Sequence, residues 1–304
     1  MKLTFPVFLL MAAGLIVPLR VESQPSRSVD RVIQTIQLRS GQSGGESPTT
    51  LQPRSSALKF VLPSLPEDQG APSGRRRGGA SRGGCLVSDP ALTALVPAMP
   101  QPPQSPPTVV VAATEQVGGL TLTPYPSFWF YLPVALQPED GVEFVLQDAQ
   151  DNVIYRKILK GTAVVPGLMQ VSLPTTVASL SLGTRYQWFF TIYCGDQTPA
   201  SFMSVNGWIQ RVPPNQALLQ QLAVASPQQQ VEIYAQQGLW FDALTLLAEL
   251  RIQNPQDGVW MQDWQGLLES VGLGTIAPVP LIPETAAIAT TSYNQLPRRT
   301  NPAQ

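Results

Sequence analysis

Proline sets the outer limits of what this chain can fold into. It supplies 31 of the 304 residues, roughly twice its ordinary share. The prolines crowd into residues 48–107 and 274–304. Proline fixes φ and removes a backbone donor, so neither stretch suits a helix interior or a central strand. Packed structure is expected mainly over residues 107–273, enough for one β-sandwich and a few helices.

Composition narrows the chemistry. The net charge is −1 and charged residues make up 13%, which gives no global case for nucleic acid or acidic lipid as the main partner. Histidine is absent. That excludes Ser-His-Asp and Cys-His nucleophiles and every His-ligated metal site. The two cysteines, Cys85 and Cys194, cannot close a four-ligand zinc site without carboxylates, and none are suitably spaced. No metal, cofactor or catalytic residue is expected.

Residues 1–23 read as an export signal. Lys2 gives a positive n-region, Leu3 to Val17 is apolar, and Val21-Glu22-Ser23 suits cleavage after Ser23. A retained anchor is the competing reading, but the run carries Pro6 and ends at Pro18, short of the ~20 apolar residues a spanning helix needs. No cysteine stands there for lipid attachment. The expected address is periplasm, thylakoid lumen or extracellular space.

Residues 24–84 read as a disordered Pro/Gly/Arg-rich linker. Within them, Gly74 to Gly84 interleaves four arginines with glycines. An RNA-binding segment would look similar, but export disfavours it. A solvated linker or a weak contact with an anionic surface fits better.

Residues 85–212 carry strand signals. Leu92 to Val96 and Val109 to Val111 are short strands, with a turn at Gly118-Gly119. Phe128, Phe130 and Leu132 share one strand face, and Trp129 and Tyr131 the other. Val142 to Gln147 and Val153 to Leu159 flank the polar turn Asp148 to Asn152, a hairpin. Met169, Val171 and Leu173 form another strand. From Arg185 to Cys194, Tyr186, Trp188, Phe190, Ile192 and Cys194 alternate with Gln187, Phe189, Thr191 and Tyr193. Phe202 to Val212 closes the set, with Asn206-Gly207 as a bulge or turn. This spacing predicts an immunoglobulin/fibronectin-like antiparallel β-sandwich, and Leu182 to Tyr186 looks like its tyrosine corner.

Residues 213–273 read as a helical module packed on the sandwich, and 274–304 as a disordered tail. Ser226-Pro227-Gln228-Gln229 is a capping box with proline at N1. Helices follow over Val231–Ala235, Ala243–Leu250 and Trp260–Val271, punctuated by Gly238, Asn254-Pro255 and Gly272. Tyr234, Gly238, Trp240, Ala243 and Pro255 resemble the second half of a tetratricopeptide repeat, though one hairpin cannot bury its own stripe.

Several segments together are familiar. Phe60-Val61-Leu62-Pro63, the Gly74–Gly84 stretch ending at Cys85, Pro126 to Pro133, Tyr186 to Cys194, and Gly238 to Leu244 resemble the cyanobacterial domain-of-unknown-function family 928. The resemblance spans roughly 58–273. It implies an exported protein with no assigned activity and carries no catalytic residue across.

A non-catalytic binding or scaffolding module is the leading functional expectation. Its partner would be another exported protein or a cell-envelope component, with no nucleic acid and no membrane span after signal cleavage. Trp129, Tyr131, Tyr193 and Trp260 are the candidate interaction surface; stacking on sugar rings and cell-envelope assembly are alternatives. A carboxylate-based hydrolase would draw on Glu139-Asp140 or Asp148/Asp151, which fall in expected turns. Finally, export places Cys85 and Cys194 in an oxidising compartment, and Cys194 ends the core strand while Cys85 follows flexible glycines. A disulfide is expected, closing a loop of 194 − 85 = 109 residues; two buried free thiols are the alternative.

Overall fold

Alternating side chains, rather than helical stripes, dominate the chain, and the computed structural model is mainly β. It describes residues 57–63, 74–80, 85, 88–100, 115–137, 140–160, 166–195 and 201–282, all within one unit, 52–304. The export signal, Val109–Val111, Glu139 and the tail beyond 282 lie outside the described residues.

Among the described residues eleven strands are present: β1 (Arg75–Ala80), β2 (Thr93–Ala94), β3 (Ala98–Pro100), β4 (Glu115–Thr121), β5 (Ser127–Leu132), β6 (Gly141–Gln147), β7 (Val153–Lys160), β8 (Gly167–Ser172), β9 (Arg185–Cys194), β10 (Ser201–Arg211) and β11 (Leu281–Ile282). They hydrogen-bond in the order β11-β8-β5-β2-β1-β10-β9-β6-β7, with β4 branching from β10 and β3 pairing with β4. The sheet is open and curls on itself. Its inner faces meet where Phe130 stacks on Phe190 at 4.0 Å and Phe128 lies 4.8 Å from Phe144. Such aromatic pairs contribute about 0.5–1.5 kcal/mol each beyond the area they bury.

The path differs from two separate sheets in a specific way. β10 is long enough to hold two neighbours on one edge: β1 opposite Met203–Asn206 and β4, in parallel, beside Trp208–Arg211. β1 also pairs with β2, so it is the seam between the two halves. The segment read as linker therefore contains a structural strand. Gly78 is what admits it: a Cβ there would sit 3.1 Å from Cβ of Leu92. Residues 57–63 are also ordered against the helices, through Phe60 edge-on to Trp240 at 4.9 Å and Val61 N–H donating to the Ala235 carbonyl at 3.0 Å.

Neither Gly118-Gly119 nor Asn206-Gly207 is a turn. These glycines lie inside β4 and β10, where bare backbone lets indole rings close in. A Cβ on Gly118 would meet the Trp208 ring at 2.5 Å, one on Gly207 the Trp188 ring at 2.5 Å, and one on Gly119 Cβ of Trp240 at 3.1 Å. Glycine in a strand can mark close approach as well as a bend.

At the expected tyrosine corner, Ser181 N–H donates to Tyr186 Oη at 3.0 Å. Beyond β10 the chain forms α1 (Gln216–Val224), α2 (Pro227–Gln236), α3 (Trp240–Gln253) and α4 (Gly258–Glu269). Both bonds of the Ser226/Gln229 capping box are made. At the α2–α3 turn, Gly238 has φ 71°. α3 reaches the sheet through several side chains. Phe241 packs edge-on to Phe128 at 5.4 Å, Trp240 Nε1 donates to the Leu95 carbonyl at 2.7 Å, and Asp242 Oδ2 accepts from Leu122 N at 3.0 Å. After α4 the chain returns to the sheet, where β11 runs parallel to β8.

A candidate interaction face on the curled sheet

The helices cover the outer side of β5. The outer side of the other half-sheet, β10-β9-β6-β7, carries half-buried side chains: Gln187, Phe189, Thr191 and Tyr193 on β9 alternate with the buried core series. Register places Phe202 opposite Tyr193, and Val145 opposite Phe189. Phe202 is 42% exposed, a large apolar ring open to solvent, and its centroid lies 6.4 Å from that of Tyr193 at an interplanar angle of 52°.

A polar cluster spans three strands of this face. Tyr193 Oη donates to Glu143 Oε2 at 2.7 Å, and Arg156 Nε donates to Glu143 Oε1 as an ion pair. Burial, helped by the Glu143 carboxylate, pushes the Tyr193 phenol up to about 12. The phenol therefore stays protonated at ordinary pH and acts as a donor. One strand end away, Asp140 Oδ1 accepts from Gly195 N at 2.8 Å. Gly195 follows Cys194, which is bonded to Cys85 with the Cα atoms 5.5 Å apart.

Of the four aromatic residues expected on an interaction surface, only Tyr193 lies on an open face. Trp129 is 1% exposed, with its Nε1 3.3 Å from Thr245 Oγ1 of α3. Tyr131, 9% exposed, lies on the same covered side, and Trp260, 3% exposed, is buried in the helical layer. The expectation fails for these three because periodicity distinguishes two faces of a strand without saying which one a later helix covers. Glu143, Arg156 and Phe202 were missed. The legible signal was parity: Phe202 is out of phase with the buried series Met203, Val205 and Ile209.

Of the carboxylate pairs, Glu139 lies outside the described residues, and Asp148 and Asp151 are taken up in their turn. Asp148 Oδ1 accepts from Gln150 N and Asn152 N, each at 2.9 Å, and Oδ2 accepts from Asn152 Nδ2 at 2.9 Å. These donors hold the Asp148 carboxyl below its ordinary value. Asp151 takes φ 62° in the same turn. Asp140 is similarly engaged, also accepting from Gln137 N. Among the described residues no three His, Cys, Asp or Glu side chains gather as a metal set, and no helix is long and apolar enough to cross a membrane.

The family model described as Domain of Unknown Function (DUF928) matches residues 77–281. The chain belongs to that family. The matched segment opens in β1, at the seam, and closes in β11, so it spans the sheet and the helical layer together. It omits Phe60–Pro63 and Gly74, which the sequence resemblance had included. No curated protein and no solved structure matches the chain.

Proposed function

We propose that the protein is exported and acts without catalysis, binding another exported or cell-envelope protein through the outer face of β10-β9-β6-β7. A cyanobacterial source and a periplasmic or lumenal address belong to this reading, as does kinship with immunoglobulin-like sandwiches, supported by the Tyr186 corner. The observation that carries it is the 42%-exposed Phe202 beside Tyr193, on a face no described helix covers. Apolar rings bordered by hydrogen-bonded polar groups are the anatomy of protein interfaces. Sugar stacking is less well served, because a flat platform needs coplanar rings and these two are tilted by 52°.

A photo-reactive phenylalanine analogue at position 202 tests the face. One discrete adduct with an exported protein is expected, and none from the analogue at exposed Val224. Equal labelling at both positions would remove the face from consideration. Intact mass of native protein tests export: a chain beginning near Gln24 is expected, and retention of Met1 in the membrane pellet would defeat it.

A further inference from the structure

We propose that the groove between the α2–α3 turn and α4 binds extended apolar segments, and that the chain's own residues 57–63 are its resting occupant. A partner polypeptide with the same leucine-x-phenylalanine pattern takes their place. The groove is separate from the face that carries Phe202, and its test does not depend on that face.

Residues 57–63 belong to no helix or strand, yet they sit as a ligand sits. Leu58 and Phe60 are 3% and 8% exposed, while Ala57, Lys59 and Val61 alternate with them in solvent. That is the two-residue period of extended chain with one side inserted. The backbone is held too. Val61 N–H donates to the Ala235 carbonyl in the last turn of α2, where helix carbonyls lack partners of their own. Phe60 N–H donates to Ser270 Oγ at the end of α4.

The groove is shaped to admit main chain. Gly266 is buried within α4, where glycine costs helix stability relative to alanine. A Cβ there would lie 3.0 Å from the Leu58 carbonyl oxygen and 3.1 Å from its nitrogen. A Cβ on Gly238, at the α2–α3 turn, would lie 3.0 Å from Cβ of Pro63 and 3.2 Å from the Val61 carbonyl oxygen. The occupant, in turn, is held only in part. Leu58 and Phe60 are its only buried residues, and Val61 and Leu62 are 52% and 50% exposed. An open cleft of about 380 Å³, lined by Lys59, Glu269 and Ser270 among others, remains between it and α4. A segment that makes the same two insertions and buries more of its flanks displaces it.

The test uses the full chain and a labelled synthetic peptide with the sequence of residues 57–63. When a groove is open only part of the time, apparent affinity falls by that fraction. Emptying it with Leu58→Ser and Phe60→Ser should therefore tighten peptide binding at least about tenfold. A peptide with alanine in place of both anchors should not bind. Gly266→Leu added to the emptied protein should weaken binding at least about tenfold, since its side chain takes the space of the Leu58 backbone. If the emptied protein does not fold, the native chain answers alone. Peptide at roughly millimolar concentration, the range a short tether supplies, should speed hydrogen exchange at the Phe60 and Val61 amides and leave β9 unchanged. No binding to the emptied protein, equal affinity for both proteins, indifference to the anchors or to Gly266→Leu, or Phe60 and Val61 amides unmoved by peptide would each overturn exchange and leave residues 57–63 a fixed part of the fold.

Discussion

Cys85 and Cys194 tie the residues just after the seam strand to the end of β9, the strand at the centre of the aromatic core. The bond spans 109 residues of sequence, and a loop of that length gives about 4–5 kcal/mol in the chain-entropy account, with measured values often smaller. Replacing both by serine should lower unfolding stability by about 2–5 kcal/mol, read from urea midpoints; an unchanged midpoint would assign the bond no structural role. Gly207 makes a second residue-scale test. Gly207→Ala places a Cβ 2.5 Å from the Trp188 ring, and the overpacking should cost about 1–3 kcal/mol. A Cβ there would also lie 2.4 Å from the Val117 carbonyl oxygen, so alanine tolerated without loss would mean that both this strand and the indole give way. The cysteine pair was legible in sequence because two cysteines allow one pairing. Gly118 and Gly207 were not, since the rings that need them, Trp208 and Trp188, stand on other strands or other registers. Trp129 failed for the related reason that its cover, Thr245, is 116 residues away.

At the level of elements, what was legible followed from local rules. β9 occupies Arg185–Cys194 as its alternation implied, and α2 begins at Pro227 behind its capping box. The arginine–glycine run defeated local reading because β1 owes its existence to β10, more than a hundred residues away, and to β2, where Arg77 pairs with Thr93. The joint between α3 and β4 depends on Asp242. Its carboxylate accepts from Leu122 N, with Thr121 and Thr123 as further donors, yet burial outweighs them and pushes it up to about 6 from 3.8. Tyr234 of α2 and Arg211 of β10 are the other titratable groups around this joint. The folded chain thus binds the proton more tightly than the unfolded one. The associated stabilisation is full below about pH 4 and is lost as pH rises through about 6, at most about 3 kcal/mol. Urea midpoints of the native protein should fall across that window, and Asp242→Asn should flatten the fall. Identical profiles for the two proteins would show that the carboxylate stays charged throughout.

For the whole molecule, the order in which the chain visits its layers governs how it comes apart. It runs from sheet to helices and back to sheet, since β11 pairs with β8 only after α4 is complete. The helical layer is fastened elsewhere too: Trp240 to Leu95, Asp242 to Leu122, Phe241 to Phe128 and Thr245 to Trp129. Residues 57–63 add a strap from the other side, with Phe60 N–H donating to Ser270 Oγ at 3.1 Å. A pair of helices with repeat-like spacing needs neighbours to bury its stripe, and here the neighbours are the sheet and this strap. Sheet and helices should therefore unfold together. The six tryptophans report on both layers, Trp129, Trp188 and Trp208 from the sheet and Trp240, Trp260 and Trp264 from the helices. Their fluorescence and far-ultraviolet dichroism should give coincident urea transitions, the mark of two-state behaviour. Limited proteolysis should release no folded fragment covering residues 213–273. Two separated transitions, or a stable helical fragment of that span, would show that the helices form a domain of their own and that the contacts made by Trp240, Phe241 and Asp242 are incidental to folding.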